Sequence, residues 1–544
     1  MRLLNGFKPY LLLCVLLCPG VLSGCVPGKH RDSVTDHQLI QRDKDMILSS
    51  APAITIQTPA AKISGQMPLA QLSELSVEKA VLLALHNNRD LKVRQQAPVI
   101  AGTFEQLERG HFDPELFVAT EYFKERANET SRSSGEQFSV LGDEVTTEAG
   151  LRQRLPTGTT IEAGLSQGRS ISNRAPEQQT ARLGLSVTQS LLRGFGPAVN
   201  LASVRQAELD TLASIDELRG FSEALLADTE IAYWNYVLAK EEIVIFETSL
   251  DIARKQREEI ELRIDVGILP EIEVAAARAE EALRVQALIN ARSLLEERRL
   301  RLLRFINPRT EERLDQPLTA ISDPRLASEP INDLKDRLQL AEQSRPDLNE
   351  ARLRLEQRRL ETVVSRNGLL PRLDFFIALG KTGFADAFSD SFREMDGNTY
   401  DLSAGLSLNY LLGNRTAKAQ VLAAHATRQQ ALDAIANLKQ IVHLDVHLAV
   451  NEVERSRLQI DASRATRTFQ EQTLAAENER FDVGTSTALL VAQAQRDLLQ
   501  TQINEIEAIV NYRIALVRLY LSEGSLLDRR GIRIAMGGLT EKLW

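Results

Sequence analysis

Two long stretches without proline, each ending in a similar motif, constrain the fold of this 544-residue chain most strongly. Residues 198–266 contain no proline and a single glycine, and residues 417–483 contain neither. At about 1.5 Å per residue, each stretch makes about 100 Å of α-helix. The stretches end at Arg263-Ile264-Asp265-Val266-Gly267 and Arg480-Phe481-Asp482-Val483-Gly484, and shorter helical patterns follow at 272–305 and 488–521. The sequence therefore predicts two helical hairpins, with tips at 263–270 and 480–487.

The two hairpins belong to a duplicated unit. Asp90-Leu91 matches Asp347-Leu348 at an offset of 257 (347 − 90), and Leu185-Ser186 matches Leu406-Ser407 at an offset of 221 (406 − 185). The first copy therefore carries about 36 additional residues between these points, within its β region. The predicted divisions are repeat 1 at 71–306, a proline-containing linker at 307–332, repeat 2 at 333–524 and a C-terminal tail at 525–544. The helices before each β region, 77–107 and 346–370, are expected to fill the space beside the shorter return helices.

Alternating apolar and small polar residues precede each long helix. Residues 183–191, 373–379 and 402–410 show the period of two that is typical of strands with unlike faces. Each run has roughly the ten residues that a tilted membrane strand needs, although a soluble sandwich shows the same alternation. The additional segment in repeat 1 alternates in the same way around Pro156-Thr157-Gly158 and predicts a further hairpin near 144–170. This hairpin either joins a membrane barrel or folds over it.

The amino terminus is typical of a bacterial lipoprotein. Arg2 and Lys8 precede an apolar run, and Leu22-Ser23-Gly24-Cys25 then fits a lipobox. We predict a signal peptide at 1–24, palmitate-containing lipid on Cys25, and a lipidated tether at 25–70; the alternative is a plain secretory signal with a cysteine near its end. Beyond this signal the chain has no run of about 20 apolar residues, the length of a transmembrane helix. Only Cys25 would remain in the mature chain, so no internal disulfide is expected.

Together, the duplicated Asp-Leu motif, the strand ending Gln189–Gly196, the paired tips and the segment Asn511–Leu519 resemble the TolC-like outer-membrane efflux family, of the lipoprotein type. The resemblance implies a mainly α chain with membrane β-strands, forming a homotrimeric outer-membrane β-barrel continuous with a periplasmic α-helical coiled-coil barrel. It also implies a passive exit duct of a tripartite efflux or type I secretion system. The implied partners are a periplasmic adaptor, an inner-membrane RND or ABC pump, and outer-membrane lipid.

The strand count agrees with assembly from several copies. Four to six strands cannot close a barrel alone, because single-chain barrels need about eight. Three copies supply about 12 strands, or about 18 if the additional hairpin joins.

The resemblance also directs attention to the tips. Family members typically carry acidic gate residues about two turns after the second tip glycine, but the positions six and nine after Gly484 are Leu490 and Gln493. Glu273, six after Gly267, either supplies charge to the entrance or lies on a solvated outer face. We expect charge pairs between neighbouring tips and adaptor docking by the tip residues. The tip residues in question are Arg263, Asp265, Val266, Gly267, Arg480, Asp482, Val483 and Gly484.

Several other functions are disfavoured. The 74 acidic and 65 basic residues are interspersed, and no basic block predicts a nucleic-acid site. His443 and His447 have a chelating spacing but no obvious third ligand, so neither a metal nor another cofactor is expected. The sequence shows no set of residues with a catalytic pattern, so an enzyme is not expected. The remaining alternative is a lipid-anchored periplasmic coiled-coil spacer or adaptor, which would have no need of lipid-facing strands.

Overall fold

The computed structural model describes residues 54–57, 74–130, 135–173, 175–306, 318–325 and 329–536. The predicted signal peptide, Cys25 and the predicted tether, apart from residues 54–57, lie outside these ranges. Helices make up most of the described chain, beside one six-stranded sheet and two pairs of short strands. None of the helices in the described part of the chain has an apolar stretch long enough for a membrane crossing.

The first repeat alternates helices and strands up to the end of its hairpin. Its elements are β1 (Ile54–Gln57), β2 (Glu74–Leu75), α1 (Val77–Asn87), α2 (Arg89–Arg94), α3 (Gln96–Gly110), β3 (Glu115–Thr130), β4 (Gln137–Arg154), β5 (Thr159–Ser172), β6 (Ala175–Ser190), α4 (Pro197–Asn200), α5 (Ala202–Asp265) and α6 (Glu273–Ile306). The predicted helix at 77–107 is divided where the Asn88 side chain accepts a hydrogen bond from the Leu91 amide at 3.0 Å and caps α2.

The second repeat follows the same plan with fewer strands. Its elements, with the segments that flank them, are β7 (Thr319–Ala320), α7 (Leu334–Ser344), α8 (Pro346–Gly368), β8 (Arg372–Ala385), α9 (Phe388–Arg393), a 3₁₀ helix (Glu394–Asp396), β9 (Tyr400–Asn409), α10 (Arg415–Asp482), α11 (Ala488–Ser522), α12 (Leu526–Arg529) and β10 (Arg533–Met536). The two long helices, α5 and α10, have 64 and 68 residues.

The hairpins are completed by other helices. Helix α5 packs against α6, and α10 packs against α11. Helix α3 lies along α5, while α8 lies against both α5 and α10, as expected for the helices before each β region. Gly220 continues α5 without a break, and a Cβ at this position would lie 3.5 Å from the ring of Pro346 at the start of α8. This distance is ordinary van der Waals contact, so an alanine would also fit between the two helices.

The main hydrophobic core lies at the middle of the helices and includes part of the predicted linker. Leu318 and Ala320 are buried beside Trp234 and Tyr233, and β7 pairs with β2 in parallel. The Tyr233 hydroxyl donates to the Leu75 carbonyl at 2.9 Å and accepts from the Ser322 amide at 3.0 Å. Burial of apolar side chains therefore orders residues 318–322, which lie in the predicted linker.

The segment predicted to begin the C-terminal tail also belongs to the core. Leu526, Leu527 and Ile532 are buried against α5 and α11. The Arg530 guanidinium forms a bidentate pair with the Glu230 carboxylate, with N–O distances of 2.7 and 2.6 Å. Apolar burial and this ion pair hold residues 526–532 against α5.

The six-stranded sheet is antiparallel throughout, in the order β3-β4-β5-β6-β8-β9. Its strands are 10 to 18 residues long. The additional hairpin predicted near 144–170 corresponds to β4 and β5, which lie inside the sheet between β3 and β6.

Candidate functional site

The two hairpin tips have the same backbone geometry. Gly267 and Gly484 have φ angles of 80° and 79°, in the left-handed region that glycine adopts without strain. In the first tip the Ile268 amide donates to the Arg263 carbonyl at 2.8 Å, and in the second the Thr485 amide donates to the Arg480 carbonyl at 2.8 Å. The glycines are needed for their positive φ and not for lack of space, since no described atom lies within 4 Å of a Cβ built at either position.

Arg263 joins the two tips of one chain. Its guanidinium lies 2.7 Å from the Asp482 carboxylate and 2.5 Å from Glu259, and its Cζ is 5.2 Å from the centre of the Phe481 ring. The hydrogen bond to Asp482 raises the pKa of Arg263 above its ordinary value. Below this contact, Ile260 and Val491 pack against Phe481 in a small buried cluster.

The other two tip charges are arranged differently. Arg480 pairs with Glu477 of its own helix at 2.6 Å, and its side chain is 64% exposed. Asp265 is exposed at the end of α5. Of the four charges predicted to join neighbouring tips, the structure brings only Arg263 and Asp482 together.

Apolar side chains at the tips are unusually exposed. Val266 and Ile268 are each 69% exposed, Ile272 is 78% exposed and Val483 is 74% exposed. Exposed apolar residues grouped at one end of a molecule are typical of a protein–protein contact surface. The predicted docking residues Val266 and Val483 lie within this group.

The predicted gate residues lie on two different helices. Leu490 and Gln493 are exposed on the first turns of α11, whereas Glu273 begins α6 and is partly buried. Asp497, which the comparison of tip positions missed, is exposed seven residues after Leu490 and therefore shares its helix face. The helical period would have identified this residue, because an acid two turns beyond Leu490 projects in nearly the same direction.

The two histidines do not form a metal site with other described residues. His443 Nε2 lies 2.7 Å from the Glu342 carboxylate, whose pKa is lowered by this hydrogen bond and by Lys439 at 3.4 Å. Within the described ranges, no group of three or more His, Cys, Asp and Glu side chains is placed to hold a metal ion.

Buried carboxylates lie near the other end of the hairpins. Glu223 is 1% exposed, and burial raises its pKa to about 7 although Arg219 Nε lies 3.5 Å away. Burial also raises the pKa of Glu230, against the opposing effect of its pair with Arg530. The Glu230–Arg530 pair ties α5 to the C-terminal segment, whereas the neighbour of Glu223 is Arg219 of the same helix.

Comparisons with known proteins agree with this architecture. Residues 337–525 match the family model described as outer membrane efflux protein. The outer membrane efflux protein BepC of Brucella suis is 24% identical over 360 residues, which cover 65% of this chain and 75% of BepC. The pyoverdine export outer membrane protein OpmQ of Pseudomonas putida is 25% identical over 408 residues, covering 66% of this chain and 80% of OpmQ.

Solved outer-membrane proteins share the fold. The CmeC outer membrane channel of Campylobacter jejuni superimposes with a TM-score of 0.61 at 16% identity, over 87% of this chain and 92% of CmeC. VceC of Vibrio cholerae gives a TM-score of 0.60 at 16% identity, over 82% of this chain and 96% of VceC.

The predicted resemblance to the outer-membrane efflux family is confirmed by the family model that matches residues 337–525 and by these relatives. The predicted fold class, a mainly helical chain with a membrane β domain, is confirmed. The relatives have the outer-membrane location and the efflux function that are predicted for this chain. The alternative of a periplasmic spacer without membrane strands is therefore set aside.

Proposed function

We propose that three copies of this chain form a passive exit duct without chemistry of its own, whose tips dock on a periplasmic adaptor served by an RND or ABC pump in the inner membrane. One observation supports this most directly. Helix α5 has 64 residues, so it carries the first tip about 95 Å from the sheet. A single chain thus has a sheet with an apolar face at one end and two exposed apolar tips at the other. Such a length suits a tube that spans the periplasm.

The adaptor contact in this proposal is the exposed apolar surface of the tips, with Val266, Gly267, Val483 and Gly484 at its centre and Asp265 and Arg480 at its edge. Both charges are exposed, and Arg480 pairs within its own helix, with Glu477. Arg263 and Asp482 instead hold the two tips of one chain together, at 2.7 Å.

The entrance in this proposal is lined by one face of α11. Leu490 and Gln493 narrow it, and Asp497 supplies the charge that these positions lack. Each residue counts three times in a trimer, so one carboxylate per chain gives three negative charges at one level. Glu273 lies on α6 and contributes at the rim.

Single-channel recordings of the purified protein in planar bilayers test this assignment. Conductance without ATP is expected from a passive duct. Gln493→Asp should raise the preference for cations over anions, and Asp497→Asn should lower it, as measured by reversal potentials in a salt gradient. If neither substitution changes the reversal potential, this face of α11 does not line the pore. If heat-modifiable trimers are absent from outer-membrane fractions, the trimeric duct itself is wrong.

Lipid on Cys25 is a separate part of the proposal, supported by the fit of Leu22-Ser23-Gly24-Cys25 to a lipobox. Cys25→Ser should abolish labelling by radioactive palmitate. The sheet should still keep the variant in the membrane fraction. Unchanged palmitate labelling would contradict lipidation at Cys25.

A further inference from the structure

The additional hairpin of repeat 1 is a continuous part of the sheet wall. Strand β4 pairs with β3 from Thr130↔Gln137 to Glu115↔Arg152, and β5 pairs with β6 from Thr159↔Gln189 to Ser172↔Ala175. Between them, β4 and β5 pair over most of their length. These two strands and their turn occupy residues 137–172, about the 36 residues by which repeat 1 exceeds repeat 2. The sequence difference between the repeats is therefore two full strands.

One row of directly paired residues is apolar on all six strands. Residues that face each other in an antiparallel sheet lie on the same side, so one row shows the character of one face. The row consists of Leu116, Leu151, Ala163, Leu185, Leu379 and Leu402. Its members on the additional strands, Leu151 and Ala163, are as apolar as the others. This face is suited to lipid along the whole width of the sheet.

The next row, which faces the opposite side, contains glycine on four neighbouring strands. It consists of Phe117, Gly150, Gly164, Gly184, Gly380 and Asp401. A Cβ on Gly150 would lie 2.7 Å from the Phe117 ring and 2.6 Å from the Ala163 carbonyl, so the ring covers the glycine. Arg152 lies over the same ring, with its Cζ 5.2 Å from the ring centre. The aromatic ring therefore lies along the wall instead of projecting from it.

The turn between β4 and β5 is fastened to the junction of the sheet with the helices. The Gly196 amide donates to the Thr157 carbonyl at 3.0 Å, and the Ser190 amide donates to the Gly158 carbonyl at 3.1 Å. Gly158 has a φ of 86°, and a Cβ there would overlap the Gly194 carbonyl. The hairpin is thus built into the base of the sheet, at the point where α4 and α5 begin.

We propose that the trimer forms an eighteen-stranded β-barrel pore, with six strands from each copy. Strands β4 and β5 widen this pore, so that the helical tube and not the β-barrel sets the largest solute that can leave. The proposal rests on the trimeric duct proposed above. In the trimer, each of the two sheet edges pairs with a neighbouring copy of this chain. Strands β3 and β9 run in opposite directions, so β9 of one copy pairs antiparallel with β3 of the next. The apolar row reaches both edges, at Leu116 and Leu402, which are 73% and 59% exposed in the single chain.

The size of the effect follows from barrel geometry. Barrel diameter grows roughly linearly with strand number, so eighteen strands give about 1.5 times the diameter of twelve and about twice the cross-section. Barrels of 16–18 strands enclose an open aqueous channel. Four of the six positions in the glycine row add no side chain to the inner surface, whereas Phe117 and Asp401 do. In this proposal the width of the barrel therefore admits bulky cargo.

Size-graded labelling from outside the cell tests the pore width without involving the periplasmic entrance. Ser407 lies opposite Asp374 on the polar face, at the end of β9 near the helices, and Leu408 is its lipid-facing neighbour. Ser407→Cys is exposed to maleimide-polyethylene glycols of increasing size on intact cells, in the full chain and in a variant without residues 137–172. Leu408→Cys is the matched control and should not react with these water-soluble reagents. The parent chain, which has three cysteines in total, serves as the labelling blank.

The full chain should admit reagents that the shortened variant excludes, with the limiting diameter falling to about two-thirds. Equal limits in both would overturn the proposal. If the shortened variant does not assemble, labelling of the full chain still tests whether β4 and β5 belong to the barrel wall. Glu148→Cys should then react with water-soluble reagents and Leu151→Cys should not, whereas reaction of both would mean that β4 and β5 lie outside the wall. If Ser407→Cys reacts with no reagent, or if no trimer reaches the outer membrane, the result contradicts the proposed trimeric duct. It does not contradict the number of strands that each copy contributes.

Discussion

Loss of the Arg263 side chain should make the closed entrance easier to open. Arg263→Ala removes the ion pair to Asp482 and the stacking of the guanidinium on Phe481, which are the polar contacts between the two tips of a chain. Helix α5 and its own turn keep their hydrogen bonds. The substitution thus weakens the contact between the tips without unfolding either hairpin, whose apolar contact at Ile260 and Phe481 remains.

The expected magnitude follows from the exposure of the contact. The side chains of Arg263 and Asp482 are 24% and 62% exposed, so the ion pair contributes about 0–1 kcal/mol. The cation–π contact adds about 0.5–1 kcal/mol. With about 1 kcal/mol lost per chain and three chains opening together, the equilibrium shifts by about 3 kcal/mol, or roughly a hundredfold.

The assay is the open probability of single channels in planar bilayers at fixed voltage. Arg480→Ala is the matched control, because it removes the corresponding arginine of the second tip, which pairs only within its own helix. Asp482→Ala should give part of the effect, since it leaves the contact with Phe481. Equal open probabilities for Arg263→Ala and Arg480→Ala would refute the reasoning.

Three further predictions concern stability and assembly. Arg530→Ala leaves the Glu230 carboxylate buried without its partner, which costs about 3 kcal/mol. Hydrogen exchange of the amides at 526–532, measured by mass spectrometry, should therefore become about a hundredfold faster. An increase of less than about threefold would contradict this role of the ion pair. Glu223, with its pKa raised from 4.5 to about 7, favours folding when protonated, and this contribution is lost as pH rises through 7. Glu223→Gln should therefore flatten the decline in thermal stability of the detergent-purified protein between pH 5 and pH 8, and an unchanged slope would argue against a buried carboxyl group. Gly158→Ala forces a Cβ onto a backbone carbonyl and should lower the yield of heat-resistant trimer. Gly135→Ala, which has a similar positive φ but meets open space, should lower it much less, and equal yields would contradict the packing.

The local elements could be predicted because their causes are local. The long helices followed from the absence of proline, and the tips followed from a glycine at the end of a helical period. Period-two alternation identified the β regions, including the additional hairpin near 144–170. The core role of residues 318–322 could not be predicted, since their order comes from Tyr233 and Trp234 about 85 residues earlier in the chain.

The candidate site was predictable only in part. The sequence identified both tips and the missing acid at Leu490 and Gln493, and the helical period would also have identified Asp497. The sequence also could not predict which of the tip charges form an ion pair. Arg263 and Arg480 occupy equivalent positions, and only the packing of the hairpins places Arg263 beside Asp482.

By itself the sequence determined a duplicated, mostly helical chain with two glycine-ended hairpins and membrane-type strands, because turn chemistry and periodicity depend on neighbouring residues. Only the tertiary structure decided the pairing of Glu230 with Arg530, 300 residues away, and the position of β4 and β5 between β3 and β6. Alternation defines the two faces of a strand but not its neighbours in a sheet. Those neighbours depend on hydrogen-bond register between distant segments, and here that register aligns four glycines on one face and six apolar residues on the other.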